Sequence, residues 1–171
     1  MKEQSTFLGK GFNRLGQKFT TDSIIRERTV YLEEKIAIGA PLQVGTDGDM
    51  QVKKFAGGVF AGFLGFEYNY DEDETTFERT FPANVSKKAI TEGHLVVLTS
   101  VTVKKNERVA LTTTGNITTA TAAALGSFIL KARFDQPALA GEQVPIILES
   151  IETEVKKWEI DLWTQAKEEY L

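Results

Sequence analysis

Gly93-His-Leu-Val-Val-Leu98, Val101-Thr-Val103 and Arg108-Val-Ala-Leu-Thr-Thr-Thr114 follow one another closely, broken by Lys105-Asn106 and closed by Gly115-Asn116. Apolar, β-branched runs of this length between turn-forming residues read as strands, and Gly115-Asn116 suits a tight hairpin turn. No 3.6-residue period runs through them. The pattern extends outward in both directions. Downstream come Phe128-Ile-Leu-Lys-Ala-Arg-Phe134 and Val144-Pro-Ile-Ile-Leu148, separated by a loop holding Pro137 and Gly141. Upstream, Pro41-Leu-Gln-Val44 and Met50-Gln-Val-Lys53 flank the turn Gly45-Thr-Asp-Gly48-Asp49. Short strands at regular spacing from about residue 36 to residue 149 predict a mainly β domain, a small barrel or a sandwich.

The two ends follow other rules. In residues 1–20, Gly9, Gly11 and Gly16 are interleaved with Phe7, Phe12 and Phe19, and Lys2, Lys10, Arg14 and Lys18 face Glu3 alone, a net of +3. Glycines oppose a regular element, and the spaced aromatics have no local core to enter. Such a stretch is either a loose terminus or an extended arm that buries its aromatics against a neighbour. Residues 21–38 fit helix or strand, with Thr29, Val30, Ile36 and Ile38 favouring strand in the second half. At the other end Ile151, Val155, Trp158, Leu162, Ala166 and Tyr170 fall at helical steps behind Ser150 as N-cap, which predicts an amphipathic helix over 150–171. Trp158 lies on its stripe, and Trp163, about 140° away around the axis, suits a second contact. The helix packs either on its own β domain or on another subunit. The chain thus divides into an arm and lead-in (1–35), a β domain (36–149) and a terminal helix (150–171).

Little in the sequence supports catalysis. The 171 residues contain no cysteine and one histidine, His94, so thiolate metal sites are excluded and a Ser-His-Asp device has a single candidate base without support nearby. Asp71-Glu-Asp-Glu74 lacks the spacing of a calcium loop and reads as a solvated tip. Ala56-Gly-Gly-Val-Phe-Ala-Gly-Phe-Leu-Gly-Phe66 lacks the Lys-Ser/Thr of a phosphate loop, so its glycines are expected to allow close backbone approach. Phe66, Tyr68 and Tyr70 alternate and would share one face of a strand. The threonines at 112–114, 118, 119 and 121 read as a solvent-facing strand and loop. No cofactor and no metal are expected. A net charge of −4 speaks against nucleic acid as partner, and the apolar run Phe55–Phe66 is too short to span a bilayer. The start, Met-Lys-Glu-Gln-Ser-Thr, has no signal-peptide core, which fits synthesis in a cytoplasm.

Ile38-Gly-Ala-Pro-Leu-Gln-Val-Gly-Thr-Asp-Gly48 followed by Val52-Lys-Lys-Phe-Ala-Gly-Gly-Val-Phe-Ala-Gly62 resembles the opening of phage structural cement proteins. Gly93–Lys104, Asn106–Thr118, Leu125–Phe134 and Gly141–Glu149 are similar to that family's middle and last strands. The resemblance covers residues 36–149 and omits both ends. It implies a β-rich, usually oligomeric decoration protein on the outer capsid surface, reinforcing the head after expansion, with no catalytic residues. The implied partners are the major capsid protein and further copies of the chain, as a homotrimer or else a dimer, in a virion made in a bacterial host cytoplasm. The arm and the helix then become the contact elements, with Phe7, Phe12, Arg14, Phe19, Trp158, Leu162 and Trp163 as candidate contact residues. A tail tube or connector subunit is the alternative within virions. A carbohydrate-binding β domain, stacking sugars on residues 66, 68 and 70, is the alternative outside them.

Overall fold

The computed structural model describes residues 14–19 and 25–157, so Phe7, Phe12, Trp158, Leu162 and Trp163 lie outside the described residues. The described chain is all strand and loop. Its elements are β1 (Lys18–Phe19), β2 (Arg26–Leu32), β3 (Ile36–Ala37), β4 (Pro41–Gly45), β5 (Gly48–Lys54), β6 (Phe60–Leu64), β7 (Asp71–Glu72), β8 (Arg79–Phe81), β9 (Ser86–Leu98), β10 (Arg108–Leu111), β11 (Ile117–Thr119), β12 (Phe128–Phe134) and β13 (Gln143–Val155).

Strand β9 organises the molecule. Its first half pairs with β2 on one side and β6 on the other, and the order β9-β2-β5-β4-β6 returns to β9, which closes a five-stranded barrel. Its second half pairs with β13, and the sheet continues through β12 and β10 to β11. β2 and β5 run parallel, whereas the other pairs are antiparallel. A separate small sheet, β3-β8-β7, carries a hairpin tip at residues 73–78.

Two apolar clusters follow from this division. One contains Val30, Leu32, Ile36, Leu42, Val52, Leu64 and Phe81, contributed largely by the barrel strands. The other joins Phe55, Phe60 and Phe63 to Leu95, Val97, Leu130, Phe134 and Ile146 of the extended sheet. Phe60 and Phe63 meet edge-on at 5.3 Å, a favourable aromatic geometry.

Gly62 is where the barrel closes. It has φ +111°, and a Cβ there would stand 2.5 Å from the Ile90 carbonyl oxygen. Both the dihedral and the close approach of β6 to β9 require glycine. The Gly-rich segment is thus a strand at a closure, as its composition suggests. The Gln43 side chain ties down its start, accepting hydrogen bonds from the Ala56 and Gly58 amides at 2.6 and 3.0 Å.

The helix expected from residue 150 is not supported. Ser150–Val155 complete β13 and pair with Phe128–Lys131 of β12. Ile151, Thr153 and Val155 are β-branched and alternate with Glu152 and Glu154, and this period of two prevails because a partner strand is available. Beyond β13, Lys156 is buried, its Nζ donating to the carbonyls of Thr121 and Ala123 at 3.1 and 2.6 Å. Thr118 and Thr119 are also buried, contrary to the solvent-facing expectation, because β11 covers the edge of the second cluster. Val101–Val103 form no strand beyond a single bridge between Val103 and Ala138.

Candidate interaction surface

Residues 14–19 are built into the body. The Gly16 amide donates to Val96 O (2.8 Å), the Val96 amide to Gln17 O (3.1 Å), and the Phe66 amide to Gly16 O (3.1 Å). A Cβ on Gly16 would sit 2.5 Å from Leu64 O, so the chain runs against the barrel wall here. β1 then pairs with β9, placing the Phe19 backbone opposite His94. Lys18 and Glu27 form an ion pair beside it.

Arg14 is fixed by the aromatic triplet. Its guanidinium lies 5.2 Å from the ring centres of both Phe66 and Tyr68 and donates to Tyr68 Oη at 2.7 Å. Phe66 meets Tyr68 at 5.1 Å and Tyr70 at 5.8 Å, and Arg79 lies 5.0 Å over Tyr70. The alternation of 66, 68 and 70 does bring the rings together, although the segment is irregular rather than strand. Cation–ring contacts of this kind contribute about 0.5–1 kcal/mol each where exposed. Arg14 is therefore the fixed root of the N-terminal segment.

The tip between β7 and β8 is held by its own backbone. Asp73 Oδ1 accepts from the Thr75 and Thr76 amides, both at 2.8 Å, and the Phe77 amide donates to Asp73 O at 2.9 Å. This geometry holds Phe77 at φ +58°, an uncommon conformation for a bulky side chain, and leaves it 70% exposed. The Thr76 amide, followed by that of Thr75, holds the Asp73 carboxyl below the usual carboxylate range. A depressed carboxylate contributes stability fully above its unfolded value and loses it as pH falls through the folded value. The Thr75 and Thr76 amide resonances are thus expected to titrate with a midpoint below that of an ordinary aspartate. A midpoint at or above it would mean that the cap does not form in solution.

Between this tip and the far end of β9 lies an open groove of about 880 Å³. Arg14, Phe66, Phe77, Leu98, Asn116 and Gln143 are among the residues that line it. Leu98 is 48% exposed and adds apolar surface to it. Glu72 and Glu78 line it together with Arg14 and Arg79, so its charges balance.

His94 lies inside β9 with its backbone paired to both Phe19 and Ile147, rather than at a strand start. Among the described residues, no three His, Asp or Glu side chains are placed to hold a metal. Of the candidate contact residues, the structure places Arg14 against Phe66 and Tyr68 and the backbone of Phe19 in β1. The Phe77 tip was missed, because its exposure depends on a positive φ that no sequence pattern marks.

The model of the structural cement protein family (E217 gp24/Pam3 gp6) matches residues 12–149 of the chain. The chain belongs to the phage structural cement protein family. This match starts at residue 12, so for the family the root at Arg14 and the β1 segment are part of the domain, as the hydrogen bonds to β9 require. A chain of the capsid of Myoviridae phage XM1 shares the fold, with a TM-score of 0.62 at 10% identity, over 81% of this chain and 91% of that one. The head fibre gp8.5 N base of bacteriophage phi29 aligns at a TM-score of 0.41 and 9% identity, over 75% of this chain and 99% of that one. No curated protein sequence matches the chain.

Proposed function

We propose that this cement protein binds the outer surface of the major capsid lattice and stabilises the expanded head, using its N-terminal arm as a principal contact. The observation that carries this reading is the family membership over residues 12–149, supported by Arg14, the first described residue, being held against Phe66 and Tyr68. The work is interface burial, not catalysis. A standard interface buries about 1,600 Å² in total, and repetition over a lattice multiplies a modest contact. The proposal extends to a homotrimer, with a dimer as the alternative, and to contacts by Phe7, Phe12 and Phe19 at the arm and Trp158, Leu162 and Trp163 at the C-terminal segment.

The test is addition of purified protein to expanded heads that lack it. Saturable binding and a higher disruption temperature of the head are expected, with density on the outer shell in an image of the particle. Rings of density along the tail would instead support the tail tube or connector assignment, and absence of binding to heads would remove the cement reading.

A further inference from the structure

We propose that Asp47-Gly48, in the turn between β4 and β5, is a site of spontaneous covalent modification: it isomerises to an isoaspartyl link that loosens the barrel as the subunit ages. The pair stands alone in the chain. No other Asp and no Asn precedes a glycine, and Asp49, Asp71, Asp73 and Asp135 are followed by Met50, Glu72, Glu74 and Gln136. A side chain on the following residue crowds its own amide nitrogen, and glycine carries none.

The fold leaves this pair within reach of the chemistry. Gly45 pairs with Gly48, so Thr46 and Asp47 make the turn, and residues 46 to 48 are all exposed. Glu33 grips the turn at its first residue, accepting from the Thr46 amide and hydroxyl. The Asp47 amide donates to Gln51 Oε1 at 3.3 Å, but the Asp47 carboxyl has no hydrogen bond or ion pair among the described residues. Asp73 differs, since its carboxyl is occupied by the Thr75 and Thr76 amides. Around Gly48 the space is open: a Cβ there would meet nothing within 4 Å. The free carboxyl can therefore turn onto the Gly48 nitrogen.

That nitrogen attacks the Asp47 side-chain carboxyl carbon. A C–N bond forms, a C–O bond breaks, and the oxygen leaves as water with the carboxyl and amide protons. Water then opens the five-membered imide at one of its two carbonyls. Opening at the side-chain carbonyl restores aspartate. Opening at the main-chain carbonyl leaves Gly48 attached through the side chain, with the backbone longer by one methylene and the mass unchanged. The longer turn no longer fits the Gly45↔Gly48 pair, and β4 and β5 are both barrel strands.

The test stores the folded full-length protein near neutral pH, labels it with an isoaspartyl methyltransferase and maps the label by peptide mass spectrometry. Label at residue 47 is expected at about tenfold or more the level at any other aspartate, because only there is the attacking amide unhindered. Asp47→Glu, which would have to close a larger ring, is expected to lose it. Asp47→Asn, with ammonia as leaving group, is expected to convert faster, with the mass gain of deamidation. Label at residue 47 no higher than elsewhere, or conversion of Asp47→Asn only in urea, would overturn the site. Modified subunits, separated from unmodified ones by chromatography, are expected to unfold at lower denaturant. Equal midpoints would overturn the loosening of the barrel.

Discussion

Gly62→Ala is expected to destabilise the fold by about 4 kcal/mol, a large share of the roughly 5–15 kcal/mol that holds a domain of this kind. Two costs combine. A side chain at φ +111° is strained by about 1–3 kcal/mol, and a Cβ 2.5 Å from Ile90 O forces β6 away from β9 at about 1–3 kcal/mol more. That displacement would also disturb Phe63↔Ile90 and Leu64↔Ala89, the pairs that close the barrel. Denaturant unfolding measures it: the midpoint should fall sharply in Gly62→Ala. A control, Gly48→Ala, has open space around its Cβ and carries the dihedral cost alone, so its loss should be smaller. Equal losses at the two positions would show that closure at Gly62 contributes nothing beyond backbone strain.

Removing residues 1–13 is expected to leave the melting temperature within a few degrees and to weaken binding to expanded heads on the order of a hundredfold. The cut falls at residue 13 because Gly16 and Gln17 bond to β9 and Gly16 to Phe66, so a longer deletion would damage the body. Burying Phe7 and Phe12 against a lattice partner contributes about 1.5–3 kcal/mol each. Ordering the chain takes back part of this, and the expected hundredfold loss corresponds to about 2.7 kcal/mol net. Phe7→Ala with Phe12→Ala should reproduce most of the loss. Neutralising Lys2 and Lys10 should do less, because exposed ion pairs contribute only about 0.2–1 kcal/mol each. Phe19 belongs to β1, so its replacement tests folding as much as binding. Undiminished binding by the truncated chain would transfer the anchoring role to the C-terminal segment.

Local patterns revealed local structure. The hairpin around Gly45–Gly48 and the strand Phe128–Phe134 form where expected, whereas the strand from Arg108 ends at Leu111 and its turn runs over Thr112–Gly115, just before the expected Gly115-Asn116. Barrel closure was hidden, since it depends on residues 60–64 meeting residues 89–90 across the chain. The first half of β9 was hidden as well: Ser86-Lys-Lys88 has no apolar residue to mark a strand, and adjacent Ala89 and Ile90 are both buried. Ile151 and Val155 are four apart, which satisfies a helix stripe and a strand face equally, and only the presence of β12 decides between them. At the candidate surface, the ring alternation at 66, 68 and 70 was visible. That Arg14, more than fifty residues earlier, completes it was not.

The way β9 is shared has a mechanical consequence. Its thirteen residues pair with β2 and β6 over the first half and with β13 and β1 over the second. A pull applied between the two ends of β9 would be carried lengthwise along this strand. The hydrogen bonds on both sides are then loaded in shear, so many must yield together rather than peel one at a time. A single continuous strand through barrel and sheet thus makes the subunit a tensile tie, stiffest along the direction of β9.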